Sequence, residues 1–306
     1  MENKILVFGH ENPDTDSICS SIVMANLQTK VRKEEVIPCR IGEINEETKY
    51  VLKYFDAEAP ELVKKVEEDQ TVILVDHNEF TQSVDGIEYA KIDTVVDHHR
   101  INNFQTKEPL FYYAQPVGCT STLLFELYAL NNIEIEPKMA GLMLSAIISD
   151  TLLLKSPTTT EKDRKAAQKL AEIADVNLEE YGLEMLKAGT NLDVYLEEEL
   201  IKLDAKKVEK EDIKYVIAQV NTVSIPDVLK RKEKLEEVIN KEIVAKGLSL
   251  FVFVITDIVN SNSEAIVLGE RADVISKTYE IKDNIAVMPG VVSRKKQILP
   301  LIEKNI

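Results

Sequence analysis

Short apolar runs rich in valine and isoleucine recur through the first half of this 306-residue chain. The runs at 5–8, 72–75 and 95–96 are each followed closely by acidic or histidine residues. Such runs are typical of buried parallel strands. Because ligands bind outside the carboxyl ends of the strands in an open α/β sheet, we expect these side chains to lie close together.

Strand and helix patterns alternate up to about residue 188, which predicts a mostly parallel sheet flanked by helices. The predicted strands lie near 4–9, 35–41, 71–76 and 93–97, and the helices near 17–30, 47–55, 119–131, 138–149, 160–174 and 178–188.

The helical pattern stops at Ala188–Asn191, where Gly189 suits a helix end, and this segment is the predicted linker. It divides the chain into domains 1–188 and 192–306. The second domain is predicted to be a smaller mixed α/β domain. Its predicted elements are a helix near 193–203, strands near 213–220, 249–256 and 264–268, a helix near 226–245 and a short helix from Ser293 to Glu303.

Candidate metal ligands follow the first and third predicted strands. His10, Asp14 and Asp16 occupy seven residues, and Asp76 ends the run 72–75. An ordinary loop with Asp16 as a helix N-cap would account for one aspartate, but not for the histidine and both aspartates. A lone aspartate at a strand end is more often a turn former, so Asp76 is informative only together with the others.

The segment Asp97-His98-His99 is the strongest local signal. Adjacent side chains of an extended segment point to opposite sides, so the two histidines are expected to do different jobs. Asp97 is a candidate to hold a ring N–H, and His77 to orient a ligand. Asp150 follows an apolar helix, whose dipole would disfavour a carboxylate there unless a cation were bound.

Crowded carboxylates and imidazoles without cysteine favour a divalent cation as their common partner. The net charge of −16 argues against a general nucleic-acid binder. Residues 1–189 carry 33 acidic and 19 basic residues, whereas 190–306 carry 20 and 18. Three widely spaced cysteines fit reduced thiols in a cytosol, and no apolar stretch is long enough to predict a membrane span.

A basic cluster, Ser293-Arg294-Lys295-Lys296-Gln297, opens the predicted C-terminal helix. Cations at a helix N-terminus oppose the helix dipole, so their placement there is unfavourable. A bound polyanion would explain it, although a solvated helix start is the ordinary interpretation.

At these motifs the chain resembles the family II, manganese-dependent inorganic pyrophosphatases, which belong to the DHH phosphoesterase group. The segments that carry the resemblance are His10-x3-Asp14-x-Asp16, Asp76-His77-Asn78, Asp97-His98-His99, Asp150 and Ser293–Gln297. The resemblance spans nearly the whole chain. It implies a DHH metal-binding catalytic domain followed by a substrate-binding domain.

The resemblance also implies residue roles. One metal would be held by His10 and Asp14, the other by Asp16, His98 and Asp150, with Asp76 bridging both. The groups implied to contact pyrophosphate are His99, Lys206, Arg294 and Lys295. Lys207, adjacent to Lys206, is a rival for that role.

The implied reaction is hydrolysis of pyrophosphate to two orthophosphates by a water that bridges two metals, which lower its pKa. Mixed histidine and carboxylate ligands suit two Mn²⁺ ions per subunit, with Co²⁺ as a substitute, and Mg²⁺ would arrive with the substrate. The family implies a cytoplasmic homodimer.

Two alternatives stay open from the residues alone. Another DHH phosphoesterase would act on polyphosphate or on short or cyclic oligonucleotides, but this chain has no Gly-Gly-Gly-His segment and no tryptophan. A catalytically silent metal sensor would not need the Arg294-Lys295 pair beside a full ligand set.

Overall fold

A computed structural model describes residues 4–210 and 213–306, apart from the side chains of residues 295 and 296. The chain divides into two compact units, Met1–Gly189 and Thr190–Ile306. Within the described residues, no helix is long and apolar enough to cross a membrane.

The first unit is built on a six-stranded sheet in which every neighbouring pair is parallel. Its strands are β1 (Ile5–Phe8), β2 (Val36–Arg40), β3 (Glu61–Leu62), β4 (Thr71–Val75), β5 (Lys91–Asp97) and β6 (Phe111–Ala114). The spatial order is β3-β2-β1-β4-β5-β6, so the chain changes direction across the sheet between β1 and β4. In such sheets the ligand crevice lies at that switch point.

Six helices accompany this sheet: α1 (Thr15–Arg32), α2 (Glu46–Tyr54), α3 (Thr120–Leu130), α4 (Pro137–Thr151), α5 (Glu161–Ala174) and α6 (Leu178–Gly189). Side-chain caps fix several of their starts. Asp14 accepts a hydrogen bond from Ser17 N at 2.9 Å, and Asn45 accepts one from Thr48 N at 2.8 Å. The α1 cap therefore also fixes the position of a predicted metal ligand.

The second unit is a mixed six-stranded sheet with the order β11-β12-β10-β9-β8-β7. Its strands are β7 (Lys206–Lys210), β8 (Ile213–Thr222), β9 (Leu250–Asp257), β10 (Asn262–Leu268), β11 (Ile281–Lys282) and β12 (Ile285–Met288). Its helices are α7 (Glu197–Leu200), α8 (Ile225–Leu229), α9 (Lys232–Lys246), α10 (Asp273–Ser276) and α11 (Leu299–Asn305). A π-helical turn, Arg294–Ile298, precedes α11. Apolar clusters cover both faces of the sheet.

The parallel sheet flanked by helices and the mixed second domain confirm the predicted fold class. The predicted helix near 193–203 is wrong in length, since only Glu197–Leu200 is helical, and the helix near 226–245 is two helices. Arg231 explains the first difference. Its guanidinium donates to the carbonyl oxygens of Leu192 (3.1 Å) and Tyr195 (2.7 Å), which holds that segment in a loop.

Three edge or two-residue strands escaped prediction, because few apolar residues mark them: β3, β7 and β11. Strand β12 is apolar throughout but only four residues long, and it escaped as well. Edge strand β6 escaped as well, since Phe111–Ala114 shows no alternation of polar and apolar residues.

Candidate metal centre

All six predicted ligands converge in the first unit. They form two overlapping groups that share one aspartate, and within each group the ligand atoms lie within 4.8 Å of one another. The first group is His10, Asp14 and Asp76, and the second is Asp16, Asp76, His98 and Asp150.

Asp76 is the shared residue, and its two carboxylate oxygens face different histidines. Oδ2 lies 3.4 Å from His10 Nε2, whereas Oδ1 lies 3.4 Å from His98 Nε2. Asp76 immediately follows β4 and has a φ of +61°, a left-handed conformation that aspartate tolerates better than most residues. This turn leaves the buried carboxylate between the two groups.

The remaining ligands surround these histidines. Asp14 Oδ2 lies 3.5 Å from His10 Nε2, and Asp150 Oδ2 lies 3.6 Å from His98 Nε2. Asp16 is fully buried. An open cleft of about 550 Å³ is lined by both groups and by His99, so a small anion can reach the carboxylates from solvent.

The His98 ring supplies a direct test of whether a cation fits. Its Nδ1 lies 3.0 Å from Val117 O, which fixes the proton on Nδ1 when the ring is neutral. Its Nε2 is buried and has no hydrogen-bond partner in the described part of the chain. In the neutral ring the Nε2 lone pair faces three carboxylates, which is the donor set that a divalent cation requires, so the residues fit a metal ion.

Neighbouring hydroxyl and amide groups orient the buried carboxylates. Asp16 accepts hydrogen bonds from Ser20 Oγ at 2.6 Å and from Thr120 N at 2.7 Å. Thr120 Oγ1 also donates to Asp76 Oδ1 at 3.1 Å. Ser20 and Thr120 were not predicted, because a hydroxyl residue near a helix start has no distinctive pattern in the sequence.

The pKa values describe a site that holds protons where a cation would bind. Burial lowers the pKa of His10, but the carboxylates of Asp14 and Asp76 outweigh burial and raise this pKa to about 10. Burial also lowers the pKa of His98, but Asp76 and Asp16 outweigh it and raise this pKa to about 9. Burial together with the Asp76 charge raises the pKa of Asp16 to about 6. Burial and the nearby Asp16 raise the pKa of Asp150 well above its usual range.

The two histidines of the Asp97-His98-His99 segment have different surroundings, as expected. His99 is half exposed, and its Nδ1 lies 3.0 Å from Asp97 Oδ1. Asp97 therefore holds His99 rather than His98, and it raises the pKa of His99. Asn78 donates to the other Asp97 oxygen at 2.6 Å.

His77 does not orient a ligand in the way expected. Its Nδ1 lies 2.9 Å from Val75 O and its Nε2 lies 2.9 Å from Ser83 Oγ. Burial lowers the pKa of this ring, so it is a neutral group that fixes the turn after Asp76.

The predicted substrate cations lie in the second unit. Lys206 is the exposed first residue of β7, and Arg294 Nη2 lies 2.9 Å from Asp204 Oδ1. Gln219 Oε1 accepts from Arg294 N at 2.9 Å. The side chain of Lys295 falls outside the described residues.

Residues 4–147 match the DHH family N-terminal domain, and residues 183–305 match the DHHA2 domain. The chain is 55% identical over 305 residues to a Brevibacillus brevis protein named "Probable manganese-dependent inorganic pyrophosphatase", with 99% of this chain and 98% of that protein covered. It is 53% identical over 302 residues to the manganese-dependent inorganic pyrophosphatase of Bacillus subtilis strain 168, with 98% and 97% covered.

Two solved structures are also similar. A Methanococcus jannaschii protein assigned to the family II inorganic pyrophosphatases matches with a TM-score of 0.62 and 41% identity, covering 98% of this chain and 99% of that one. An exopolyphosphatase-related protein from Bacteroides fragilis matches with a TM-score of 0.51 and 13% identity, covering 99% and 91%. The second likeness shows a shared fold alone.

Cation binding at neutral pH is expected to release protons from this site. With pKa values of about 10 and 9, His10 and His98 are protonated at pH 7 in the metal-free protein. A metal ion binds only the neutral ring, so binding must displace these protons. For each proton displaced, the metal affinity should rise about tenfold with every unit of pH, up to the pKa of that histidine. Titration calorimetry of Mn²⁺ in buffers of different ionisation enthalpy measures the protons released. A heat independent of the buffer would contradict this expectation.

Proposed function

Because this chain belongs to the manganese-dependent inorganic pyrophosphatases of the DHH group, we propose that it hydrolyses inorganic pyrophosphate to two orthophosphates. The observation that carries the proposal is the Asp76 carboxylate, which presents one oxygen to His10 and the other to His98. That arrangement suits two cations sharing one ligand.

In this proposal His10 and Asp14 hold one Mn²⁺ ion, and Asp16, His98 and Asp150 hold the other, with Asp76 bridging. Co²⁺ is an alternative occupant, because histidine and carboxylate ligands suit both ions. When bound, the two ions would lower the pKa of a shared water and stabilise the charge that builds on the departing phosphate. Mg²⁺ would enter with the substrate.

In this proposal His99 serves the leaving phosphate. Its ring borders the open cleft beside the ligand groups, and its Nδ1 bonds to Asp97. That bond orients the ring and favours its protonated form. We assign His99 the role of proton donor or hydrogen-bond donor to the bridging oxygen of pyrophosphate.

Lys206, Arg294 and Lys295 are assigned to the phosphate oxygens. Lys207 is a weaker candidate than Lys206, because its Nζ already lies 2.8 Å from Glu209 Oε1. No ion pair involves Lys206 among residues 4–210 and 213–306. Residues 1–188 would thus be the metal-binding catalytic domain, and 192–306 the substrate-binding domain.

The proposal includes a cytoplasmic homodimer. Strand β6 ends the first sheet with one side of its backbone unpaired within the described chain, and Phe111 is 52% exposed there. An open edge of this kind is a surface on which a second copy can pair. Light scattering separates a dimer from the 34.6 kDa chain.

Metal replacement tests the reaction itself. Removal of metal with a chelator should abolish phosphate release from pyrophosphate, and Mn²⁺ or Co²⁺ should restore it far better than Mg²⁺. Polyphosphate and a cyclic dinucleotide serve as competing substrates. Full activity in Mg²⁺ alone, or a preference for either competing substrate, would count against the proposal.

Substitution separates a metal ligand from a substrate group. His99→Ala should keep about two Mn²⁺ ions per chain and lower kcat roughly 10²–10⁴-fold, the usual worth of a general acid. Asp76→Ala should lose metal from both sites. Metal analysis beside the kinetics gives the answer, and loss of metal in His99→Ala would reverse the roles of His98 and His99.

A matched pair of substitutions tests the lysine assignment. Lys206→Ala should raise KM for pyrophosphate about 10–100-fold, which corresponds to one hydrogen bond to a charged group. Lys207→Ala, on the opposite face of β7, should leave KM near the wild-type value. The reverse result would assign the contact to Lys207.

A further inference from the structure

Glu47 is a half-buried carboxylate that none of the proposed roles uses. It lies in the first turn of α2, directly after Glu46. The helix dipole favours an acidic residue in this turn, and the exposed Glu46 meets that preference. Glu46 Oε1 also accepts a hydrogen bond from Lys49 Nζ at 2.7 Å. Glu47 instead points into the protein, where burial raises its pKa. Burial of a carboxylate is unfavourable unless hydrogen bonds to its oxygens offset the loss of hydration.

One oxygen of Glu47 joins two other helices. Oε1 accepts a hydrogen bond from Thr15 Oγ1 at 2.7 Å and another from Ser149 Oγ at 2.6 Å. Thr15 is completely buried and lies 3.0 Å from Thr48 Oγ1, so the contact is part of a packed polar cluster. Helices α1, α2 and α4 are therefore tied at a single oxygen atom.

The two donors are the immediate neighbours of proposed metal ligands. Thr15 stands between Asp14 and Asp16, and Ser149 directly precedes Asp150. Three ligands from two helices are thereby linked to the Glu47 carboxylate through one intervening residue each. Glu47 itself is in neither of the ligand groups.

The surroundings also leave room for this side chain. A Cβ atom at Gly189, the last residue of α6, would lie 2.9 Å from Glu47 Cβ and 3.0 Å from its Oε2. The 2.9 Å contact is one that real Cβ atoms essentially never make, so glycine at this position allows the observed placement of Glu47.

We propose that Glu47 is a positioning residue, which holds Asp14, Asp16 and Asp150 at the separation that two metal ions require. The inference rests on the proposed metal centre. It assigns Glu47 no contact with the metals or with pyrophosphate. Its hydrogen bonds act on the backbone that carries the ligands, and partners of this kind commonly change metal affinity 10–100-fold.

The test compares Glu47→Ala, Glu47→Gln and Glu46→Ala in the full chain. Mn²⁺ affinity is measured by paramagnetic resonance of the free ion, and kcat, KM and the metal-free melting temperature are measured separately. Glu47→Ala should weaken Mn²⁺ binding about 10–100-fold and lower kcat at limiting Mn²⁺, with KM for pyrophosphate near wild type. Glu46→Ala removes the same charge from the same turn and should change none of these.

Glu47→Gln separates hydrogen bonding from charge. Its amide oxygen can accept from both hydroxyl groups, so Mn²⁺ affinity should stay near wild type. Ser149→Ala removes one donor and should weaken binding in the same direction, and combined with Glu47→Ala the effects should be less than additive.

Three results would overturn the inference: unchanged Mn²⁺ affinity in Glu47→Ala, equal loss in Glu47→Gln and Glu47→Ala, or equal loss in Glu46→Ala. If Glu47→Ala does not fold, Ser149→Ala and Glu47→Gln decide the question by the same measure. Absence of pyrophosphate hydrolysis in the wild-type protein would refute the proposed function, yet the Mn²⁺ affinities would still test Glu47.

Discussion

Electrostatic repulsion among four aspartates is the constraint around which the first unit is organised. Asp16 and Asp76 are almost entirely buried, and Asp150 is mostly buried beside them. Without a cation, the site must keep protons on His10 and His98 and share others among the carboxylates, as the raised pKa values indicate. Carboxylates are therefore brought together at a free-energy cost that two divalent cations would remove.

The fold meets this cost by fixing each carboxylate separately. Asp14 caps α1, Asp16 accepts two hydrogen bonds, and Asp76 occupies a left-handed turn held by its N–H to Val96 O at 3.0 Å. Asp150 lies near the C-terminal end of α4, where the helix dipole disfavours negative charge. Strained or unfavourable positions of this kind persist where the surrounding structure over-determines them, and they cluster at functional sites.

The convergence of most candidate ligands was predictable because it follows from sheet topology, whereas their separate roles came from the resemblance. A parallel sheet delivers residues after β1, β4 and β5 to one edge, so short motifs far apart in sequence identified one place. The same logic gave the fold class. It failed for β7, since an edge strand of lysines leaves no periodic pattern. It also failed for the loop before α7, where the helical pattern is overridden by the contacts of Arg231 with Leu192 and Tyr195. The partner of Asp97 could not be predicted either, because sequence order alone does not tell whether the His98 or the His99 ring contacts its carboxylate.

Residues that support ligands escape sequence analysis for a more general reason. The six proposed ligands are histidines and aspartates, so their chemistry is visible in their identity. Ser20, Thr120 and Glu47 contribute an oxygen or an N–H that many residue types could supply, and only the three-dimensional contact gives it meaning. Glu47 is typical. In the sequence it is one of two adjacent acidic residues at the start of a helix, and the helix dipole accounts for Glu46 and Glu47 equally. Only the Oε1 contacts to Thr15 and Ser149 distinguish it from Glu46, so an assignment for such residues has to begin from the hydrogen bonds of the folded protein.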